Sequence, residues 1–371
     1  MDSLSLERPA DTSAPGRAAL VRRSLRHHAW LLGFCLTYMA LALGVLAQGD
    51  HPRHILLASY AFSTAIPPIL AVLFIAFGHL CHQALHVRPF SPRGALAAVL
   101  TDERLTLKRA IYALIPVLLI PVFASTFTSF KNAIPNIIPF TYDIGLMELD
   151  RLLHFGVDPW RLLQPILGYP LLTSVLSYFY NFWFPLMYLV LYWQIFSLGN
   201  PRLRMQYLVS FAVIWILAGN LLALALSSAG PCFYDQVTGT VGPYGELMTY
   251  LHDANQQFRN WSIEAQSYLW EVYLAGNVEL GGGISAMPSL HVAVAVLQAL
   301  LGWQVNRKLG LLLSAYAAVI LLSSVHLGWH YAVDGYFSIA LAAAVWFGVG
   351  RLLRGPLLNC SPMTTPNNRA F

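Results

Sequence analysis

Eight stretches of about 20 residues are so nearly free of charge that the bilayer, rather than water, decides what they can fold into. They fall at about 29–48, 55–80, 108–129, 171–198, 205–228, 286–305, 309–327 and 331–353. Lipid offers no partner to a backbone N–H or C=O, so a crossing segment must satisfy its own. A helix of about 20 residues does so over the ~30 Å of the hydrocarbon core. The pattern predicts an all-α fold, a polytopic membrane helix bundle. Only 11% of the 371 residues are charged, against ~25% in an ordinary soluble domain, and neither a soluble domain nor an internal repeat is visible. Pro67, Pro68, Pro116, Pro121 and Pro185 fall inside the apolar stretches, where neighbouring helices can satisfy the freed carbonyls.

The charges that remain sort by side. An even number of spans puts both termini on one face, and 17 of the 22 Lys and Arg then share it, among them Arg22, Arg23, Arg93, Lys108, Arg202, Arg307 and Arg351. The positive-inside rule makes that face cytoplasmic. The opposite face holds two long connections, about 130–170 and 229–285, in which Asp143, Glu148, Asp150, Asp158 and six further acids concentrate. The net charge of +5 is therefore a signal of topology and gives no reason to expect a nucleic-acid partner. The chain divides into a cytoplasmic tail (1–28), two accessory spans with a basic loop (29–107), a six-span core (108–353) whose cap is 130–170 and 229–285, and a disordered cytoplasmic tail (354–371). The first span is too long for a cleaved leader and reads as a retained anchor. Cys35 falls in a span, Cys81 and Cys360 on the cytoplasmic face and only Cys232 outside, so no intramolecular disulfide is expected. Within the cap, DRLLHFGVDPWRLL (150–163) reads as one amphipathic helix with Trp160 at headgroup depth, and Asn260-Trp-Ser is a glycosylation sequon.

Three motifs meet on the acidic face. GGGISAMPSLH (281–291) opens a span with Pro288 suited to a first helical turn and His291 just inside, and open amides at a helix start attract anions. SSVHLGWHYAVDGY (323–336) repeats His326, His330 and Asp334 every four residues, which predicts one shared helix face. FKNAIPNIIPF (130–140) places Lys131 at the end of a third span. Ionisable groups at a span end are expensive, and this combination suits a phosphoryl group. A neutral imidazole held by a carboxylate can attack phosphorus, a second histidine can protonate the departing alkoxide, and a cation with N–H donors can hold the equatorial oxygens. No metal or cofactor is required.

With PSLH and HLGWHYAVD together, the chain resembles the type 2 phosphatidic acid phosphatase superfamily, in the branch containing inositol phosphorylceramide synthases. Pro288, Ser289 and His291 match that superfamily's second motif, with Leu290 where glycine is commoner, and Ser323, His330 and Asp334 match the third. The resemblance implies that His330 is a nucleophile forming a phosphohistidine, that Asp334 orients it, that His291 is the acid for the leaving group and that Ser289 contacts phosphate. Ser324 stands where the motif has arginine, and His326 is the expected partial replacement. The first motif has no clean counterpart; Lys131 is its candidate, since the Arg88-Pro of HVRPF falls on the cytoplasmic face. The implied activity is a lipid phosphotransferase at the extracytoplasmic face, with a membrane lipid as donor and a polyol as acceptor, or else a lipid phosphate phosphatase. Two other readings are weaker. A histidine-ligated metal centre would have to join His326, His330 and Asp334 to His79, His82 and His86 across ~30 Å of hydrocarbon. A proton-coupled transporter would keep its ionisable groups near mid-bilayer in paired repeats.

Overall fold

A computed structural model describes residues 17–48, 56–86, 91–102 and 106–354. The outer parts of both expected tails, 1–16 and 355–371, and Arg88 lie outside the described residues. Every assigned element among them is helical. In chain order these are α1 (Arg17–Leu46), α2 (Leu57–His86), α3 (Pro92–Thr101), α4 (Leu107–Ile137), α5 (Asp143–Leu153), α6 (Pro159–Leu167), α7 (Pro170–Asn181), α8 (Trp183–Phe196), α9 (Pro201–Ile216), α10 (Leu222–Ala225), α11 (Tyr234–Thr238), α12 (Gly245–Gln257), α13 (Trp261–Leu274), α14 (Leu290–Val305), α15 (Arg307–His326) and α16 (Ala332–Leu352). A π-turn, Leu217–Leu221, joins α9 to α10.

Six of these segments are long and apolar enough to cross a membrane: Arg17–Leu46, Leu107–Ile137, Pro170–Phe196, Pro201–Ala225, Arg307–His326 and Ala332–Leu352. The other two expected stretches, 55–80 and 286–305, fall on α2, a helix of 30 residues, and on α14, of 16 residues. At ~1.5 Å per residue α14 is only about 24 Å long, less than the hydrocarbon thickness. It is shielded instead by protein. Val292, Ala293, Val294, Ala295, Leu297 and Leu301 are all buried, and α8, α9, α15 and α16 pack around it. Small residues let the turn into α15 close tightly: a Cβ on Gly310 would lie 2.5 Å from the Trp303 ring.

Polar contacts fasten the N-terminal helices to this bundle. Arg204 of α9 is fully buried and donates to the carbonyls of Tyr112, Gln194 and Ile195, while its Nη1 sits 2.9 Å from Nε2 of His28 on α1. Tyr38 of α1 donates to Asn220 in the π-turn, and Tyr192 of α8 donates to the Thr64 carbonyl of α2.

The stretch 150–163 is two helices, not one. Phe155 (φ +59) and Gly156 (φ +84) both adopt the left-handed region, which stops α5, and Pro159 then starts α6. Trp160 is only 4% exposed, so it packs into the protein. Arg151 pairs with Asp158 through two hydrogen bonds (2.7 and 3.2 Å) and closes the corner.

Candidate active site

The His330 segment is a helix break. α15 ends at His326, Gly328 takes the left-handed conformation (φ +74), and the chain folds back so that the N–H groups of Trp329 and His330 both donate to the Ser324 carbonyl (3.0 and 3.1 Å). α16 starts only at Ala332. His326, His330 and Asp334 therefore do not share one helix face, contrary to the four-residue spacing: the left-handed glycine and the fold-back onto Ser324 interrupt the helix between the first two. The break makes a better site than a helix face would. His330 sits on the turn with its Nδ1 3.3 Å from Oδ2 of Asp334, and the Tyr331 N–H donates to the same oxygen (3.0 Å). Both side chains are buried. A carboxylate on Nδ1 favours the tautomer with the proton there and the lone pair on Nε2. Asp334 Oδ1 has no protein partner.

His291 arrives from α14. Ser289 is the N-cap, accepting from the Val292 N–H (3.4 Å), so Pro288, joined to Met287 by a cis peptide, lies before the helix rather than in its first turn. The His291 ring is held between Tyr180 (centroids 4.5 Å apart, 14°) and Trp183 (4.2 Å, 35°), and Trp183 Nε1 donates to the His291 carbonyl (3.0 Å). The two aromatics sit on either side of Phe182, where α7 passes into α8. His291 is within electrostatic reach of both His330 and Lys131. Lys131 lies inside the last two turns of α4, since that helix runs on to Ile137.

The glycine run leans directly on this lysine. Gly283 has φ +92, and a Cβ there would lie 2.8 Å from Lys131 Cγ. Gly283→Ala is expected to destabilise the protein by about 1–3 kcal/mol and to lower activity about tenfold by displacing Lys131. Thermal unfolding and turnover of the purified variant measure both. Wild-type values would mean that neither the φ nor the close approach matters.

His326 goes elsewhere. Its Nε2 bonds Thr173 of α7 (2.9 Å), with Tyr250 of α12 beside the ring, and its Nδ1 is buried without a partner. Its one hydrogen bond thus runs to the cap side. Ser324, at the arginine position, acts through its backbone carbonyl, while its hydroxyl donates to the Leu321 carbonyl (2.7 Å).

Two carboxylates of the cap were counted in the sequence only as outer-face acids. Asp143 accepts from the N–H groups of Ala229 (3.0 and 3.1 Å) and Gly230 (2.8 Å) and from the Tyr331 hydroxyl (2.8 Å). Asp150 accepts from the N–H groups of Ala332 (2.8 Å) and Val333 (2.9 Å), in the first turn of α16. Their seven-residue spacing, two helical turns, was the available signal. Burial raises the pKa of both, for Asp150 to about 6, against the lowering effect of those N–H groups. The neighbouring Asp334 raises Asp150 further and His154 opposes it; the Tyr244 and Tyr336 hydroxyls also face it.

A carboxyl whose folded pKa exceeds its unfolded value binds its proton more tightly in the folded state. The contribution of Asp150 is therefore most favourable below about pH 4 and is lost as pH rises through 6, by on the order of 2–3 kcal/mol. Asp150→Asn should flatten the fall in stability between pH 4.5 and 7.5 in thermal unfolding; an unchanged slope would contradict it.

Asn260 is 1% exposed and caps α13 by accepting from the Ser262 N–H (3.1 Å), so the folded chain does not present the sequon. Among the described residues, no three His, Cys, Asp or Glu side chains converge as metal ligands would. No curated protein and no solved structure matches the chain. A family does: the PAP2 superfamily, over residues 144–347. That span is more than half of the chain and takes in the Ser289–His291 and His330–Asp334 segments, beginning just after Asp143. The chain belongs to the PAP2 superfamily.

Proposed function

We propose that this protein is a lipid phosphotransferase that works through a phosphohistidine on His330. Membership of the PAP2 superfamily and several apolar helices fit a membrane-embedded lipid phosphatase or phosphotransferase. The observation that carries the finer reading is the His330–Asp334 pair: a buried imidazole with Nδ1 on a carboxylate and Nε2 left for a substrate, within electrostatic reach of His291, which in turn is within reach of Lys131.

In this reading His330 Nε2 attacks phosphorus, the P–O bond to the leaving alcohol breaks, and His291 gives that oxygen its proton. His291 then takes the proton of the incoming hydroxyl, whose oxygen displaces His330 by breaking the P–N bond. Asp334 stabilises the imidazolium formed on the way. Lys131 and the Ser289 hydroxyl hold the phosphoryl oxygens, and His326 adds at most an indirect contribution through Thr173. The distribution of Lys and Arg supports a site on the extracytoplasmic side with both termini in the cytoplasm.

An alcohol acceptor rather than water is favoured by the enclosure of the site. Ala286, Met287 and Ser289 are all buried, and α11 to α13 belong to a connection of more than 50 residues over that end of the bundle. A transferase must keep water, at tens of molar, from its intermediate, and a closed site does so. The test is partitioning: purified protein is given lipid phosphodiesters with a range of polyols, and transferred headgroup is counted against released headgroup. Transfer to at least one polyol supports the reading. Release alone, with every acceptor, makes the protein a phosphatase.

A further inference from the structure

The two buried carboxylates of α5 form the only acceptor set that, among the hydrogen bonds described above, touches both sides of the His330 turn. Asp143 holds Ala229 and Gly230 on one side and the Tyr331 hydroxyl on the other. The segment it holds is itself joined to both site segments. Ser228 accepts from the N–H groups of Ala286 (2.9 Å) and Met287 (3.1 Å), three and two residues before Ser289. The Cys232 N–H donates to the Gly328 carbonyl (2.8 Å), and Gly230 packs so closely on the Trp329 carbonyl that a Cβ would lie 2.6 Å from it. Asp150 then holds Ala332 and Val333, the two residues between Tyr331 and Asp334.

The opposite side of the same region is largely apolar, with Glu148 exposed among its hydrophobic side chains. Ile144, Leu149, Leu152 and Leu153 are exposed, and Phe155, which ends α5, is 98% exposed in a left-handed conformation that a phenylalanine rarely adopts. Burying two carboxylates is costly, and replacing such groups by apolar ones is often neutral for stability, so the need to build a fold does not explain them. Fixing backbone N–H groups does, because a carboxylate accepts several strong hydrogen bonds at a defined place.

We propose that Asp143 and Asp150 are positioning residues: from one side of α5 they fix the backbone on both sides of His330 and thereby its aim at phosphorus. The inference rests on His330 being the nucleophile. A displacement of about 1 Å at a reacting group costs on the order of 100-fold in rate. The test uses full-length protein in nanodiscs, with dioctanoyl phosphatidic acid as the probe, and compares Asp143→Asn, Asp150→Asn and Tyr331→Phe with wild type.

The expected result is a kcat lowered about 10- to 100-fold in each Asp variant with KM within about threefold, and a smaller kcat loss in Tyr331→Phe. Because Tyr331 acts through Asp143, Asp143→Asn with Tyr331→Phe should lose less than the product of the two single losses. Tyr331→Phe removes one hydroxyl and keeps the test alive if an Asp variant misfolds. Wild-type kcat per folded molecule in all three variants, whatever their melting temperatures, would overturn the proposal, as would a loss confined to KM. A fully active His330→Ala would instead sink the nucleophile assignment, which separates the two failures.

Discussion

His330→Ala is expected to lower turnover at least 1,000-fold while the protein remains folded, because no other described side chain presents a carboxylate-held imidazole at this turn. Asp334→Asn should cost on the order of 100- to 10,000-fold. The amide can still accept one hydrogen bond from the Tyr331 N–H or from His330, but it neither stabilises an imidazolium nor fixes the tautomer. The measurement is initial rate per folded molecule, with gel filtration and thermal unfolding as controls. Only a rate within tenfold of wild type in a folded His330→Ala would show that another group attacks phosphorus.

The second large effect depends on the substrate. If His291 supplies only a proton, His291→Ala should lose about 100- to 10,000-fold on lipid esters, whose alkoxides cannot leave unprotonated. A substrate with a nitrophenol leaving group should lose less than about tenfold. The aromatic cage sharpens the comparison, because Tyr180 and Trp183 support the ring from two sides and an alanine leaves a gap. A variant that is equally inactive on both substrates has lost the site's shape, and the acid assignment fails.

The bundle was legible because lipid leaves a crossing segment one option, so apolar length alone marks the helices. Helix ends were less so. The periodicity of SSVHLGWHYAVDGY pointed to one helix face, yet Gly328 in a left-handed conformation and two N–H groups folding back onto Ser324 break it in two. The same local chemistry at Phe155 and Gly156 divides 150–163. Positive φ at a glycine is permitted by sequence but not announced by it.

His291, His330 and Asp334 stood out in the sequence as candidates because ionisable groups at span ends are costly. Asp143 and Asp150 did not, because an acid in a loop is ordinarily solvated and only the fold shows that these two are buried on backbone N–H groups. The spacing of His326 matched as well, while its hydrogen bond goes to Thr173, which only the fold shows.

The central claim is that phosphorus passes through His330, and rapid-quench trapping tests it most directly. The purified protein is mixed with a lipid phosphate, quenched in alkali within one turnover and digested for mass spectrometry. The account predicts a phosphoryl adduct on the His330 peptide that is stable in base and lost in acid, that forms at least as fast as product, and that is absent from His330→Ala. An adduct on any other residue, or product formed at the full rate with no adduct at His330, would contradict it.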